Sequence, residues 1–332
     1  MSEDTVSSLA DALCSGDRRA LAQAITLVES TRDQHRAQAH ELLTQLTAQA
    51  GQALRIGITG VPGAGKSTFI ESLGLQMIGK GESVAVLTVD PSSAISGGSI
   101  LGDKTRMPQL AASSGAFIRP SPSAGSEGGV GRHTREAIHL CEAAGFKLVI
   151  VETVGVGQSE LRVAQMTDIF MLLLSPGAGD ELQGIKRGIM ELADIVLVNK
   201  CDGELLSAAQ RTVGDYTAAL RLMQSRTRGW QVPVLAISAR TGEGVSAVPD
   251  AIERFYQHSR AQGIFEARRA DQAREALGQA LREGLLERFI KNPIAAQKIE
   301  AVGTEVAAGR LIPAVGAQQL LDEHNPKAGA QE

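Results

Sequence analysis

Gly60-Val61-Pro62-Gly63-Ala64-Gly65-Lys66-Ser67 has the residue types and spacing of a phosphate cradle. Glycines at 60, 63 and 65 let the backbone turn tightly and aim its N–H groups at phosphate oxygens, helped by the positive end of a following helix. Lys66 is placed to bridge the β- and γ-phosphates. The Ser67 hydroxyl is placed to complete the shell of a Mg²⁺ ion held otherwise by water and phosphate oxygen. Thr68 opens the helical run and is counted with the loop as a nucleotide contact.

A second motif selects the base. Asn199-Lys200-Cys201-Asp202 offers a carboxylate at 202 that can accept from both N1–H and the 2-amino group of guanine, a donor pair adenine lacks. Ser238-Ala239-Arg240 is the expected second contact, through a backbone N–H to the guanine carbonyl. Glu152-Thr153-Val154-Gly155 has the form of a γ-phosphate sensor, with Glu152 near the metal. Asp90 and Asp103 are further acidic candidates for metal or water contacts. A Ras-type GTPase has Gln directly after the sensor glycine to orient the attacking water. Here that place holds Val156, and Gln158 is the nearest carboxamide, so slow intrinsic hydrolysis, stimulated by a partner, is expected.

These motifs need strands that end beside one another. Short aliphatic runs at Leu54–Thr59, Val84–Asp90, Lys147–Glu152, Asp168–Leu174, Asp194–Asn199 and Val232–Ser238 alternate with amphipathic stretches. Runs apolar on both faces predict an α/β fold of the P-loop NTPase kind, with a mostly parallel central sheet flanked by helices. Residues 1–50 read as a helical N-terminal extension, 51–260 as the nucleotide domain and 261–332 as a helical C-terminal extension. In that tail Leu277, Leu281, Leu285 and Phe289 form a row at four-residue spacing, and Ile299, Val302 and Val306 continue an apolar face. Residues 91–132, rich in Gly, Ser and Pro, read as a long functional loop.

Composition narrows the classes. With a net charge of −4, 3% aromatic residues and no dominant basic run, neither a nucleic acid nor an anionic membrane is an expected partner. Cys14, Cys141 and Cys201 are widely spaced and odd in number, as free thiols in a reducing compartment would be. The acidic start Met1-Ser2-Glu3-Asp4 has no leader pattern, and no apolar run reaches the ~18 residues of a membrane helix. A cytoplasmic location is expected.

Longer blocks carry a family resemblance. Asp90-Pro91-Ser92-Ser93, Gly102-Asp103-Lys104-Thr105-Arg106-Met107, Arg119-Pro120-Ser121-Pro122, Glu152-Thr153-Val154-Gly155-Val156-Gly157-Gln158-Ser159 and Gly179-Asp180-Glu181-Leu182-Gln183-Gly184-Ile185-Lys186 closely resemble the MeaB/ArgK/MMAA family of GTPases. The resemblance implies a GTP- and Mg²⁺-dependent chaperone that gates adenosylcobalamin delivery to an acyl-CoA mutase, usually methylmalonyl-CoA mutase, and protects it. It implies a homodimer formed through the C-terminal helical arm. It assigns Lys66, Asp90, Asp103 and Glu152 to the catalytic positions, and residues 177–186 to a third switch. The coupling residues are then Gly155, Gln158, Gly179, Asp180, Glu181, Gln183 and Lys186, with Lys186 and its neighbours expected to report nucleotide state. Cys201 departs from the Ala common inside this N-K-x-D motif, at a position that need not touch the base. A metal-insertion GTPase would want a His- or Cys-rich segment, whereas the six histidines are scattered. A transport-associated kinase using the same loop is the other alternative.

Overall fold

Strands apolar on both faces are stable only when helices cover both sides of their sheet, and the computed structural model of the chain has that architecture. It describes residues 3–90, 105–122, 129–153, 159–176 and 187–324. The chain divides into two compact units, Met1–Gln272 and Ala273–Glu332. Among the described residues, no helix is long and apolar enough to cross a membrane.

The first unit is built on seven strands: β1 (Leu54–Thr59), β2 (Val84–Asp90), β3 (Ala116–Pro122), β4 (Leu148–Thr153), β5 (Ile169–Leu174), β6 (Ile195–Val198) and β7 (Val234–Ala236). All neighbours pair in parallel, in the order β3-β2-β4-β1-β5-β6-β7. The carboxyl ends of all the strands therefore lie along one edge. Every residue of β4, β5 and β6 is buried. Side chains alternate between two cores, as the two-residue period requires. Ile56, Ile58, Leu148 and Ile150 pack with α4 (Lys66–Gly79), a short α5 (Pro108–Ala112) and α10 (Ala247–Ala261). Val149, Val151 and Phe170 pack on the other face with α1 (Glu3–Cys14), α2 (Arg18–Val28), α3 (Asp33–Gln45), α6 (Gly129–Ala143) and α7 (Ser159–Ala164). A third cluster joins β5 and β6 to α8 (Arg187–Leu192) and α9 (Leu206–Leu222) through Met190 and Tyr216.

The stretch 91–132, expected to be one long loop, contains α5, β3 and the start of α6. Pro120 and Pro122 hide the strand in the sequence, yet an edge strand tolerates them, because residues two apart direct their missing N–H groups to the same, unpaired side. Elements distant in sequence hold β3 in place. Arg18 on α2 donates to the carbonyls of Ser114 and Ala116, and Arg119 reaches back to Glu29 Oε2 at 2.8 Å.

At the opposite edge of the sheet, where strands begin, buried carboxylates are clamped by arginines. Asp168 accepts the Arg55 N–H at 2.8 Å and two bonds from Arg269, at 2.7 and 2.6 Å. Asp194 pairs with Arg226 at 2.5 Å and Arg268 at 3.3 Å. Arg269 also donates to the carbonyls of Gly51 and Ala53, both at 2.6 Å. Both arginines stand on the first turns of α11 (Ile264–Lys291).

The second unit continues α11 from Ala273 and adds α12 (Pro293–Ala307) and α13 (Pro313–His324). Asn292 separates the first two helices, its side chain accepting from Ile294 N at 2.9 Å and Ala295 N at 3.3 Å with Pro293 in the first turn. Leu277, Leu281 and Leu285 are all exposed.

Candidate active site

The loop after β1 is shaped by what presses on it. A Cβ at Gly60 would stand 2.2 Å from the Leu173 carbonyl oxygen, and one at Gly65 would stand 2.5 Å from Asn199 Nδ2. Gly65 also has φ +89, in the left-handed region. No larger residue fits either place without displacing backbone or the base-recognition strand. Lys66 begins α4 and is buried, its Nζ donating to Gly60 O at 2.7 Å and Val61 O at 3.3 Å. Burial pushes the Lys66 ammonium down, while the charges of Glu152 and Glu160 oppose that shift and Arg106 adds to it.

Ser67 Oγ donates to Glu152 Oε1 at 3.3 Å. Glu152 sits in β4 between Ile58 of β1 and Thr88 of β2, so the sheet itself brings its carboxylate to the loop after β1. Beside it, the Thr153 hydroxyl donates to Thr59 Oγ1 at 2.9 Å, tying the ends of β4 and β1. A hydroxyl and a carboxylate oxygen standing together are the hard oxygen donors that Mg²⁺ takes. Among the described residues no group of three His, Cys, Asp or Glu side chains could hold a metal.

The base side is assembled by Asn199. Its Nδ2 donates to Ala64 O at 2.8 Å, and its Oδ1 accepts from Ala239 N at 2.9 Å. One side chain thus joins the phosphate loop to the end of β7. Lys200 follows with φ +59, in the left-handed region that side chains seldom adopt. Beyond this turn Cys201 faces inward, Sγ lying 3.1 Å from Val198 O and its N–H bonded to Ile237 O at 3.0 Å. Asp202 accepts from the Ser238 hydroxyl and pairs with Arg240 at 2.6 Å. Gly65, Thr68, Asn199, Asp202, Leu205 and Arg240 line a cavity of about 290 Å³ there. It has a carboxylate in its wall and an apolar side chain beside it, a setting suited to a flat base with edge donors.

The structure therefore brings together Gly60 to Thr68, Glu152, Asn199, Lys200, Asp202 and Ser238 to Arg240 at one edge of the sheet. Asp90 closes β2 at that edge. Asp103, Gly155, Gln158, Gly179, Asp180, Glu181, Gln183 and Lys186 lie outside the described residues. Leu205 in the cavity wall, and Glu160 and Arg106 acting on Lys66, are additions the sequence reading passed over. Their only signal was proximity to motifs: Leu205 lies three residues after Asp202, and Glu160 directly follows the block ending at Ser159.

Comparison with known proteins agrees with this geometry. The family model described as methylmalonyl Co-A mutase-associated GTPase MeaB matches residues 21–294. A probable GTPase of Mycobacterium tuberculosis is 52% identical over 323 residues, covering 97% of this chain and 96% of that protein. The mouse mitochondrial methylmalonic aciduria type A homolog is 46% identical over 326 residues, covering 95% of this chain and 79% of that protein. A crystal structure described as an LAO/AO transport system kinase superposes with a TM-score of 0.77 at 37% identity, covering 98% of this chain and 99% of that one. A sequence related over nearly its whole length to these proteins belongs to a GTP-hydrolysing enzyme, and the chain is a member of the MeaB GTPase family.

Proposed function

We propose that this GTPase serves an adenosylcobalamin-dependent acyl-CoA mutase, methylmalonyl-CoA mutase first, by gating delivery of its cofactor and protecting it. The observation that carries the reading is the family match over residues 21–294, whose description names that mutase. The mouse relative's name points the same way. In this reading Lys66, Asp90, Asp103 and Glu152 are the catalytic set. Ser67, Asp90, Asp103 and Glu152 would hold Mg²⁺, which would supply charge neutralisation at the β- and γ-phosphate oxygens. The loops containing Asp103, Gly155 and Asp180 act as switches, and Gln158, Gly179, Glu181, Gln183 and Lys186 couple them to the mutase. The protein works in the cytoplasm as a homodimer joined through an arm spanning residues 261–332. The exposed row Leu277, Leu281 and Leu285 supports that arrangement, since an unpaired apolar helix face suits a second copy.

The test mixes purified protein with methylmalonyl-CoA mutase, GTP and adenosylcobalamin. Complex formation, faster GTP hydrolysis and nucleotide-dependent cofactor loading are expected. Unchanged hydrolysis and loading across isobutyryl-, ethylmalonyl- and methylmalonyl-CoA mutases would refute the reading.

The transport-kinase description of the similar crystal structure supports a second reading, phosphoryl transfer to an acceptor. Tracing the label of γ-labelled GTP separates the two. Release as inorganic phosphate favours the chaperone, and label on a protein or amino acid favours the kinase.

A further inference from the structure

Glu160 carries one carboxylate oxygen, Oε2, that is buried without a hydrogen-bond partner among the described residues. The residue as a whole is only 4% exposed. Withholding a charged oxygen from both water and protein donors is strongly unfavourable. A side chain kept in that condition is suited to a donor that arrives from outside the chain.

Its position follows from the helix that carries it. α7 packs on β1, β4 and β5, with Val163 pressed so close to Gly57 that a Cβ there would stand 2.8 Å from Val163 Cγ1. Because α7 leads from the end of β4 to the start of β5, it runs opposite to β1. Glu160 lies three residues before Val163, on the same face and ~4.5 Å along the axis, a rise of roughly one and a half strand residues. That places its Cα level with Ile58 and Thr59, and because helix side chains lean toward the N-terminus its carboxylate extends toward Gly60, whose carbonyl accepts from Lys66 Nζ. The electrostatic influence of Glu160 on Lys66 agrees with the placement. Glu152 reaches the site from the other face of the sheet, the one bearing Leu148 and Ile150, and is engaged by Ser67.

We propose that Glu160 is a further residue of the hydrolytic site, whose unpaired carboxylate oxygen accepts a hydrogen bond from the water that attacks the terminal phosphate of GTP. The proposal rests on the assignment of this site to GTP hydrolysis. An ionised carboxylate is an acceptor only, so it needs a donor, and Lys66 already spends hydrogen bonds on Gly60 and Val61. The water has no Gln to orient it after Gly155, since Val156 stands there. In the step itself, the water oxygen forms a bond to the terminal phosphorus as the bond from that phosphorus to the bridging oxygen breaks. The electron pair of the broken bond stays with GDP. Both water protons leave on the phosphate product as dihydrogen phosphate, which releases one to solvent, and Glu160 is regenerated unchanged.

The test compares the full chain with its Glu160→Gln and Glu160→Ala variants, with GTP and Mg²⁺. Three quantities are read: the single-turnover hydrolysis rate, the Kd of a fluorescent GDP, and the affinity for GDP with aluminium fluoride, which mimics the phosphoryl group in transfer. Glu160→Ala is expected to slow hydrolysis by about 100-fold and to weaken the aluminium fluoride complex in step, with GDP affinity within twofold. Glu160→Gln, which keeps an acceptor oxygen of the same size, is expected to lose less, and it carries the test if the Ala variant fails to fold. Wild-type rates in both variants would overturn the proposal. So would GDP affinity falling in parallel with rate, which would make Glu160 only a counter-charge for Lys66. A wild-type chain that hydrolyses no GTP would instead overturn the assignment of the site.

Discussion

Asn199 donates through Nδ2 to the carbonyl of Ala64 at 2.8 Å, across 135 residues of sequence. The same side chain accepts from Ala239, so phosphate loop and base pocket are one mechanical object. Asn199→Ala leaves a buried carbonyl and a buried N–H unpaired. It is expected to destabilise the fold by about 2–4 kcal/mol and to raise the Kd for GDP at least about tenfold, read by thermal melting and fluorescent-nucleotide titration. Asn199→Asp keeps the acceptor toward Ala239 but sets a buried carboxylate oxygen against the Ala64 carbonyl, so a loss of stability at least as large is expected at neutral pH.

Gly60 and Gly63 form a controlled pair. A methyl group at Gly60 collides with the Leu173 carbonyl, whereas nothing lies within 4 Å of one at Gly63. Gly60→Ala should therefore cost about 1–3 kcal/mol through backbone displacement and abolish tight nucleotide binding. Gly63→Ala, with φ +82, carries only conformational strain of about 1 kcal/mol. Equal effects in calorimetry and binding would contradict this account.

Base selection is expected to depend on Asp202. Removing its carboxylate in Asp202→Ala leaves Arg240 and the Ser238 hydroxyl without their partner and the guanine edge without an acceptor. GDP affinity is expected to fall by about 100-fold or more, while ATP, always bound weakly, changes little. A competition assay between GTP and ATP reads the loss of preference directly.

Acid stability hinges on Glu142. Burial alone would raise its carboxyl, but His139, both arms of the Arg55 guanidinium and the Gly51 N–H hold it down at about 2, against an ordinary 4.5. The folded protein binds this proton less readily than the unfolded chain. The stabilisation is therefore complete above about pH 4.5 and disappears as pH falls toward about 2, amounting to about 3 kcal/mol. Glu142→Gln should lower the melting temperature at pH 7 and flatten its dependence on pH within that window.

The sequence resolved those parts of the molecule that local pattern governs. β1 and β2 begin and end at the residues the aliphatic runs mark, because strands buried on both faces have no polar alternation to blur their limits. β3 stayed hidden because Pro120 and Pro122 signal loop, and only its place at the sheet edge makes them tolerable. Glycines 60, 63 and 65 identified the cradle, but what forbids a side chain at Gly60 is Leu173, a residue from another strand. Glu160 and Leu205 were overlooked for the same reason. Their roles come from the elements they face, and neither belongs to a periodic pattern or a spaced motif.

Arg268 and Arg269 give the chain a practical boundary. A nucleotide domain cut at residue 260 would strip both guanidinium groups from Asp168 and leave Asp194 with Arg226 alone among its arginines, exposing the start of the sheet to partial opening and protease attack. A minimal soluble fragment has to retain the chain through Gln272, which itself donates to Thr167 O at 2.9 Å. The first turns of α11 thus act as a keystone, so trimming from the carboxyl end should be tolerated down to that residue and fail abruptly just past it.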